Sequence, residues 1–479
     1  MADGDAVRDQ EAVLADLRRR GAATAGGVFV LTGPGGTGKT HLIRRISAEL
    51  FHRPLFTATT GLAATAFATL GRSMTIHSAL SLGVGDRPLK YYVGRLKFLH
   101  GMGATPEGVQ LAADADAIFI DEMSMLREAF LRLVDGMLRH VRNNEAPFGG
   151  VALFLVGDFL QLPPVEDAES RVMLFETEYW RSVVTRTYLL TRSVRHDGDA
   201  EFREMLMRIR VGAPTAADVA RLNSRVGAAA EGALGHEAPR LYTHNFDVRA
   251  YNSQNLHRIP NCKRKKFDGF AAVRAGAETR LEGALDAVRR ASETGGAELY
   301  AELDPECPPR KAGVRREKRL EAAARFFKAH AANARLELGV GAPVMFNINA
   351  PHEGYYNGTL GWVEAFAEDA VLVRLAEGEA PLRVTAKEFR DESFGYSFSF
   401  TQIPLELAYA VTVHKAQGRT LPCAVMDLSR TFDVGQGYSA LSRVKTLAGV
   451  SLEHPVAERC FRASPAARDY YAALEARGC

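Results

Sequence analysis

The sequence predicts an α/β fold with parallel sheets, and three observations predict it. The first is Gly33-Pro34-Gly35-Gly36-Thr37-Gly38-Lys39-Thr40, a loop of the form G-x-x-x-x-G-K-[ST]. It stands between an apolar, β-branched run (27–32) and a stretch where Leu42, Ile43, Ile46 and Leu50 recur at helical spacing. The second is Ala117-Ile118-Phe119-Ile120-Asp121-Glu122, an apolar strand that ends in two carboxylates. The third is the apolar run 151–156, which ends in Gly157-Asp158 and leads to Gln161. Strands apolar throughout are covered on both faces, as in parallel sheets flanked by helices.

Each element carries its own chemistry. A triphosphate is wrapped by backbone N–H groups, and side chains on the loop would block that approach; Gly33, Gly35, Gly36 and Gly38 leave it open, with Pro34 and Thr37 completing the loop. The following helix N-terminus points its unpaired donors the same way. Lys39 is placed to neutralise β- and γ-phosphates, and the Thr40 hydroxyl to ligand Mg²⁺. At the carboxyl end of a neighbouring strand, Asp121 suits the Mg²⁺ shell and Glu122 the polarising of an attacking water. Gln161 is a neutral amide able to sense the γ-phosphate. Ten residues into the chain, Gln10 could bond an adenine edge through its carboxamide.

With 479 residues the chain is too long for one ordinary core, so two or three domains are expected. The hydrophobic share of 47% is that of a globular protein, and no apolar run reaches the roughly 18 residues of a membrane span. The acidic opening, Met1-Ala2-Asp3-Gly4-Asp5, reads neither as a secretory signal nor as an Arg-rich transit peptide. The 5 cysteines are scattered, which argues against a zinc site or disulfide framework and for a reducing, intracellular setting, its compartment left open. Net charge is only +3, yet residues 257–335 hold eighteen Lys and Arg against eleven Asp and Glu. That unevenness points to a polyanionic partner or to a solvated basic surface.

Between the motifs, residues 54–64 read as a strand ending in Thr59-Thr60 and then a helix, followed by Thr75-Ile76-His77-Ser78. Hydroxyls and a histidine at strand ends suit a sugar-phosphate backbone, although His77 alone would read as a core or loop residue. Residues 83–113 break the α/β rhythm and read as a small projecting insertion, whose Lys90, Tyr91, Tyr92, Arg95, Lys97 and Phe98 suit either DNA contact or a solvated helix face.

Taken in order, the loop, Thr59–Ala64, Thr75–Ser78, Ile120–Met125 and Gly157–Val165 resemble a superfamily 1 DNA helicase. The run from Asp135 through Arg139 to Pro147-Phe148-Gly149-Gly150 is similar to the signature segment of the PIF-type (petite integration frequency) helicases, relatives of RecD. The resemblance covers roughly residues 6–455. It implies two RecA-like domains, the first over 1–186 and the second over 187–256 and 403–465. Residues 257–402 would be an inserted, partly β-barrel-like domain and 466–479 a tail. It implies that Arg195 and Arg443 reach the γ-phosphate from the second domain, and that Gln417 and Gly418 couple to ATP. Thr59, Thr60, His77, Thr243, Asn245, His414 and Lys415 would contact DNA. His196 stands where the family usually has Gln, and Ser439 where it commonly has Val, the latter with little effect expected.

The function implied is an ATP- and Mg²⁺-dependent helicase that acts as a monomer, moving 5′→3′ on single-stranded DNA toward forks or duplex junctions in replication, repair or recombination, with no membrane partner. A single-strand translocase, an RNA helicase and a non-catalytic nucleic-acid-binding scaffold remain the alternatives. The basic stretch 257–335 fits the family pattern poorly, and its Ala-rich part, 320–335, reads as helix.

Overall fold

The computed structural model describes residues 10–21, 26–67, 70–83, 85–164, 171–192, 195–196, 198–229, 238–259, 262–272, 278–280, 326–327, 335–350, 353–375, 380–393 and 396–476. By internal packing the chain divides into two units, Met1–Arg249 with Ala410–Cys479, and Ala250–Tyr409.

The first unit holds two parallel sheets. Its first lobe is built on β1 (Val28–Thr32), β2 (Pro54–Ala58), β3 (Ser73–Thr75), β4 (Ala117–Asp121), β5 (Ala152–Gly157) and β6 (Arg186–Leu189), in the order β3-β2-β4-β5-β1-β6. Alternate residues of β1 serve opposite cores: Val28 and Val30 one, Phe29 and Leu31 the other. On the second face Phe29, Phe154, Phe119 and Phe56 lie in register on adjacent strands and form a ladder of rings 5.2, 4.7 and 5.5 Å apart. Such in-register pairs pin strand alignment. Helices α1 (Gln10–Arg20) and α2 (Lys39–Leu50) cover the ladder with Val13, Leu14, Leu17, Leu42, Ile43 and Ile46.

Helix α3 (Gly61–Thr65) packs Ala63 and Ala64 against Ala58 of β2, and the opposite face carries α4 (Ile76–Ala79), α5 (Leu89–Gly101), α6 (Glu107–Asp114), α7 (Glu128–Val141) and α8 (Glu178–Val183). The stretch expected to project, 83–113, instead supplies Tyr92, Leu96 and Val109 to this core, while Lys90, Arg95, Lys97 and Phe98 stay exposed. Apolar residues at helical spacing, not only the basic ones, decide how α5 packs. The segment singled out at Asp135 proves to be a structural lock. Asp135 Oδ1 accepts the Phe148 N–H at 2.6 Å and takes the Arg139 Nε–H at 2.8 Å, while Arg142 donates to the Gly149 carbonyl at 2.9 Å. These bonds hold Phe148, buried and at φ 52°, in the turn that feeds β5.

The second lobe includes α9 (Ala200–Arg210) and α10 (Ala216–Asn223), whose Phe202, Met205, Leu206, Ile209 and Leu222 are buried in its core, and β7 (Arg240–Tyr242), which leads into α11 (Asn245–Arg258). The strands of the second unit then intervene: β8 (Arg264–Asp268), β9 (Phe270–Ala272), β10 (Glu278–Arg280), β11 (Arg335–Gly339), β12 (Pro343–Phe346), β13 (Leu360–Phe366), β14 (Ala370–Leu375), β15 (Leu382–Thr385), β16 (Lys387–Ser393), β17 (Tyr396–Gln402) and β18 (Leu405–Leu407). They form three antiparallel sheets, β15-β14-β13-β12-β18, β10-β9-β17-β16 and β11-β8, and bury a core that includes Leu338, Val344, Phe346, Tyr355, Val373 and Leu405. Apart from Phe326, Phe327 and Arg335, the last of which opens β11, the helix expected over 320–335 lies outside the described residues.

The second lobe resumes with β19 (Ala410–Thr412), β20 (Ala424–Asp427) and β21 (Val450–Leu452), and its parallel order is β19-β7-β20-β21. Between the last two strands lies α12 (Gln436–Leu441), all six residues of it buried. The closing stretch, expected as a tail, contains α13 (Pro465–Ala476), whose Ala467, Tyr471 and Leu474 are buried in the core of the first lobe.

Candidate active site

β1 delivers the loop 33–38 to the carboxyl edge of the first sheet. Gly33 sits at φ 143°, and a Cβ there would lie 2.0 Å from the Leu190 carbonyl oxygen, so no side chain fits. Gly38 begins α2 in the left-handed region and offers no side-chain cap, which leaves the first amides of the helix directed at the loop. Lys39 Nζ donates to the Gly33 and Pro34 carbonyls at 2.7 and 2.9 Å. Burial pushes its ammonium below the ordinary lysine value, against the pull of Asp158, Asp121 and Glu122. Thr37 Oγ1 donates to the Pro34 carbonyl at 3.0 Å and closes the loop. Gln10, at the start of α1, is held against it: Nε2 donates to the Thr37 carbonyl at 3.1 Å and Oε1 meets His41 Nδ1 at 3.0 Å.

The two acids stand at the end of β4, two strands from β1. Burial raises the Asp121 carboxyl, Glu122 beside it adds to the rise, and the Glu122 N–H donated to Oδ1 at 2.8 Å opposes it. Glu122 takes a left-handed backbone, φ 57° and ψ 45°, which a non-glycine residue holds only where its surroundings fix it. Its Oε2 accepts from Gln417 Nε2 of the second lobe at 2.9 Å, while Gln417 Oε1 is buried with no hydrogen-bond partner among the described residues.

The second lobe closes the other wall. Arg443, buried just after α12, donates from Nη2 to Gln161 Oε1 at 3.2 Å and from Nε to the Ser439 carbonyl at 2.9 Å. Arg195 Nη1 donates to the Ser442 carbonyl at 2.9 Å, and its own N–H to the Gly36 carbonyl at 3.1 Å. Burial first, then the nearby Arg443, lowers the Arg195 guanidinium to about 10. Gly35, Gly36, Gly38, Lys39, Thr40, Arg44, Asp121, Glu122, Gln161, Arg195, Gly418 and Arg443 thus line one cavity of about 400 Å³. Arg195 and Arg443, in mutual repulsion, join Lys39 and Arg44 of α2 and the N-terminus of that helix around it. That donor set fits a polyanion of triphosphate type. Thr40 and Asp121 supply the hard oxygen donors that suit Mg²⁺.

Two departures from the family pattern have structural roles. His196 is buried and bonds the Val444 carbonyl through Nε2 at 3.1 Å, tying the segment of Arg195 to that of Arg443. Ser439 was expected to matter little, but its Oγ accepts the buried Leu162 N–H at 3.1 Å, a bond that valine cannot make. Close packing persists there: a Cβ on Gly435, at φ 70°, would lie 2.5 Å from the Gln161 carbonyl oxygen.

Of the seven residues expected at DNA, Asn245 and Lys415 are exposed. Thr60 caps α3 by accepting the Ala63 N–H, and Thr59 Oγ1 donates to the Glu122 carbonyl at 3.3 Å. The His77 ring stacks on Phe130 at 4.3 Å, and burial lowers it to about 4. Thr243 Oγ1 is 2.8 Å from His244 Nδ1, and His414 is half-buried. Sequence reasoning missed Tyr438, whose hydroxyl accepts the Gly35 N–H at 2.8 Å, and Arg210, paired in the interior with Asp158 at 2.8 and 2.9 Å. Tyr438 stands next to Ser439 and five residues before Arg443, which could have marked it; Arg210 has no local signal.

Two RecA-like lobes with a phosphate loop, paired acids and an arginine wall around one cavity define a two-lobed P-loop NTPase fold. Residues 6–219 match the family of PIF1-like helicases. The ATP-dependent DNA helicase PIF1 of Xenopus laevis is 31% identical over 425 residues, covering 88% of this chain and 58% of that protein. The chain spans about three-fifths of the length of the first curated relatives it matches. Pif1 helicase from Candida albicans superposes with a TM-score of 0.74 at 24% identity over 99% of both chains, which establishes the fold. Pif1 from Bacteroides in complex with ADP-AlF3 and ssDNA gives 0.72 at 24%, again over 99% of both chains. Among the described residues no helix is long and apolar enough to cross a membrane.

Proposed function

We propose that this chain is an ATP-dependent DNA helicase that moves along single-stranded DNA, 5′→3′ as the family resemblance implies, and opens duplexes at junctions. The observation that carries the reading is the joining of both lobes at the catalytic groups: Gln417 on Glu122 and Arg443 on Gln161. In this reading Lys39 and the α2 amides hold the β- and γ-phosphates. Mg²⁺, held by Thr40 and Asp121, would supply charge neutralisation at the phosphate oxygens. Water attacks the γ-phosphorus, its proton passes to Glu122, and the bond to the β,γ-bridging oxygen breaks to release ADP and phosphate. Arg195 and Arg443 stabilise the charge that develops on the transferring group. Because both arginines belong to the second lobe, hydrolysis depends on how the lobes meet. Single-stranded DNA bound along both should therefore stimulate it.

The bond between Gln417 and Glu122 couples the candidate base to the same motion. Asn245 and Lys415 are the exposed candidates for contact with the strand. Turnover of ATP with and without a single-stranded oligonucleotide tests the reading, with strand displacement on 5′-tailed and 3′-tailed duplexes as the second measurement. Strong stimulation with unwinding of the 5′-tailed duplex is expected. A DNA-independent rate would favour a different partner, and no turnover at all would favour a scaffold.

A further inference from the structure

The last helix, α13, reaches the strand that carries the phosphate loop. Tyr471 is buried, and its hydroxyl lies 2.5 Å from Thr32 Oγ1, on the residue just before Gly33. The direction of the bond follows from its neighbours. Thr32 Oγ1 donates to the Gly157 carbonyl at 3.0 Å, so its proton is committed and it accepts from Tyr471. The Tyr471 oxygen in turn accepts the Phe159 N–H at 3.0 Å. The result is one directed chain, Phe159 N–H to Tyr471 O–H to Thr32 O–H to the Gly157 carbonyl. It clamps the end of β1 to the turn that leads to Gln161. Burial pushes the Tyr471 hydroxyl well above its ordinary value, so it stays protonated and able to donate.

The ring of Tyr471 meets the second lobe. The Arg210 guanidinium of α9 lies over it, 4.4 Å from the ring centroid, and pairs with Asp158 through two bonds. Asp158 belongs to the same turn. The neighbouring Tyr470 stacks on Phe175 at 4.5 Å and meets the Phe159 ring at 5.7 Å, so it too holds α13 to the first lobe.

We propose that Tyr471 is a positioning residue for nucleotide hydrolysis, through which the C-terminal helix holds the Gly157–Gln161 turn in register with the phosphate loop and with Arg210 of the second lobe. Tyr471 touches neither the nucleotide cavity lining nor its phosphates, and acts through Thr32 and Phe159. The inference rests on the ATPase reading above.

Tyr471→Phe keeps the ring over Arg210 and removes the hydroxyl, so the Phe159 amide loses its acceptor and Thr32 its donor. DNA-stimulated kcat should fall about tenfold, the size expected when a buried donor loses its partner. The affinity for a fluorescent ATP analogue should change less than about threefold, with the number of binding sites per chain unaltered. Leu474→Ala is the comparison: it removes buried packing from the same helix and should lower thermal stability while leaving kcat per nucleotide-binding molecule at the wild-type value. A Tyr471→Phe protein with wild-type DNA-stimulated kcat per bound nucleotide would overturn the proposal, as would equal kcat losses in the two variants. If the wild-type protein itself shows no DNA-stimulated turnover, the ATPase reading falls and takes this inference with it.

Discussion

Gln417 of the second lobe donates a hydrogen bond to Glu122 Oε2 of the first at 2.9 Å, both side chains being buried. Glu122→Gln preserves an oxygen able to accept this bond but cannot take a proton from water. The variant should bind ATP as the wild type does and turn it over about 10²–10⁴-fold more slowly. Nucleotide titration beside a turnover assay separates the two. Weakened affinity with normal turnover per bound nucleotide would contradict the base assignment.

Arg443→Ala should lower turnover at saturating ATP by roughly 10³-fold or more, as loss of an arginine finger does. Nucleotide affinity should change much less, because the charge acts most in the transition state. Stimulation by single-stranded DNA should largely vanish. Equal DNA-stimulated rates in variant and wild type would remove Arg443 from the reaction.

Ser439→Val restores the residue common in the family and takes the acceptor from the buried Leu162 N–H. Unfolding by denaturant should show a loss of about 1–3 kcal/mol with an unchanged slope. Undiminished stability would mean that the amide finds another partner.

His196 gives a pH signature. Burial first, then Arg195, lowers its ring to about 4, against about 6.5 when unfolded. Between those values the unfolded chain binds more protons, so stability falls as pH drops from about 6.5 to 4 and is unaffected above that window. Gln can donate to the same Val444 carbonyl without titrating. His196→Gln should therefore flatten the slope, and parallel wild-type and variant curves would show that His196 is not its source.

Within the basic run of β8 and the residue before it, Lys265 Nζ donates to the Ala367 and Glu368 carbonyls, and Arg264 donates to the His257 carbonyl. Lys263, Arg264 and Lys266 are exposed, and the two lysines among them are Lys263 and Lys266, the latter near Glu337 at 3.8 Å. Replacing these two by Gln should flatten the dependence of log DNA affinity on log salt by roughly 0.7 for each phosphate of a single strand that is no longer neutralised. An unchanged slope would mark the run as a solvated surface.

The phosphate loop and the Asp121-Glu122 strand end were legible because each is a short, contiguous signal. The arginines were reached only through the family resemblance, since nothing local marks Arg195 or Arg443. Tyr438 on Gly35 joins residues 403 apart, and Tyr471 on Thr32 joins residues 439 apart. No periodicity or spacing rule spans such distances. Thr60 shows a different ambiguity: its hydroxyl suits a phosphate, and in the structure it caps the N-terminus of α3.

The order in which the chain leaves the ribosome gives the C-terminal helix another meaning. All six strands of the first sheet have been made by Leu189, yet β7 must wait for β19 on the far side of an entire second unit, and Thr32 waits for Tyr471. At about 5–20 residues per second that interval lasts roughly 15–60 s. During it the nascent protein carries a formed phosphate loop without its arginine wall or its helical strut. Nucleotide binding can precede hydrolytic competence in the newborn chain, and a ribosome-stalled fragment ending before Arg443 should capture ATP without consuming it.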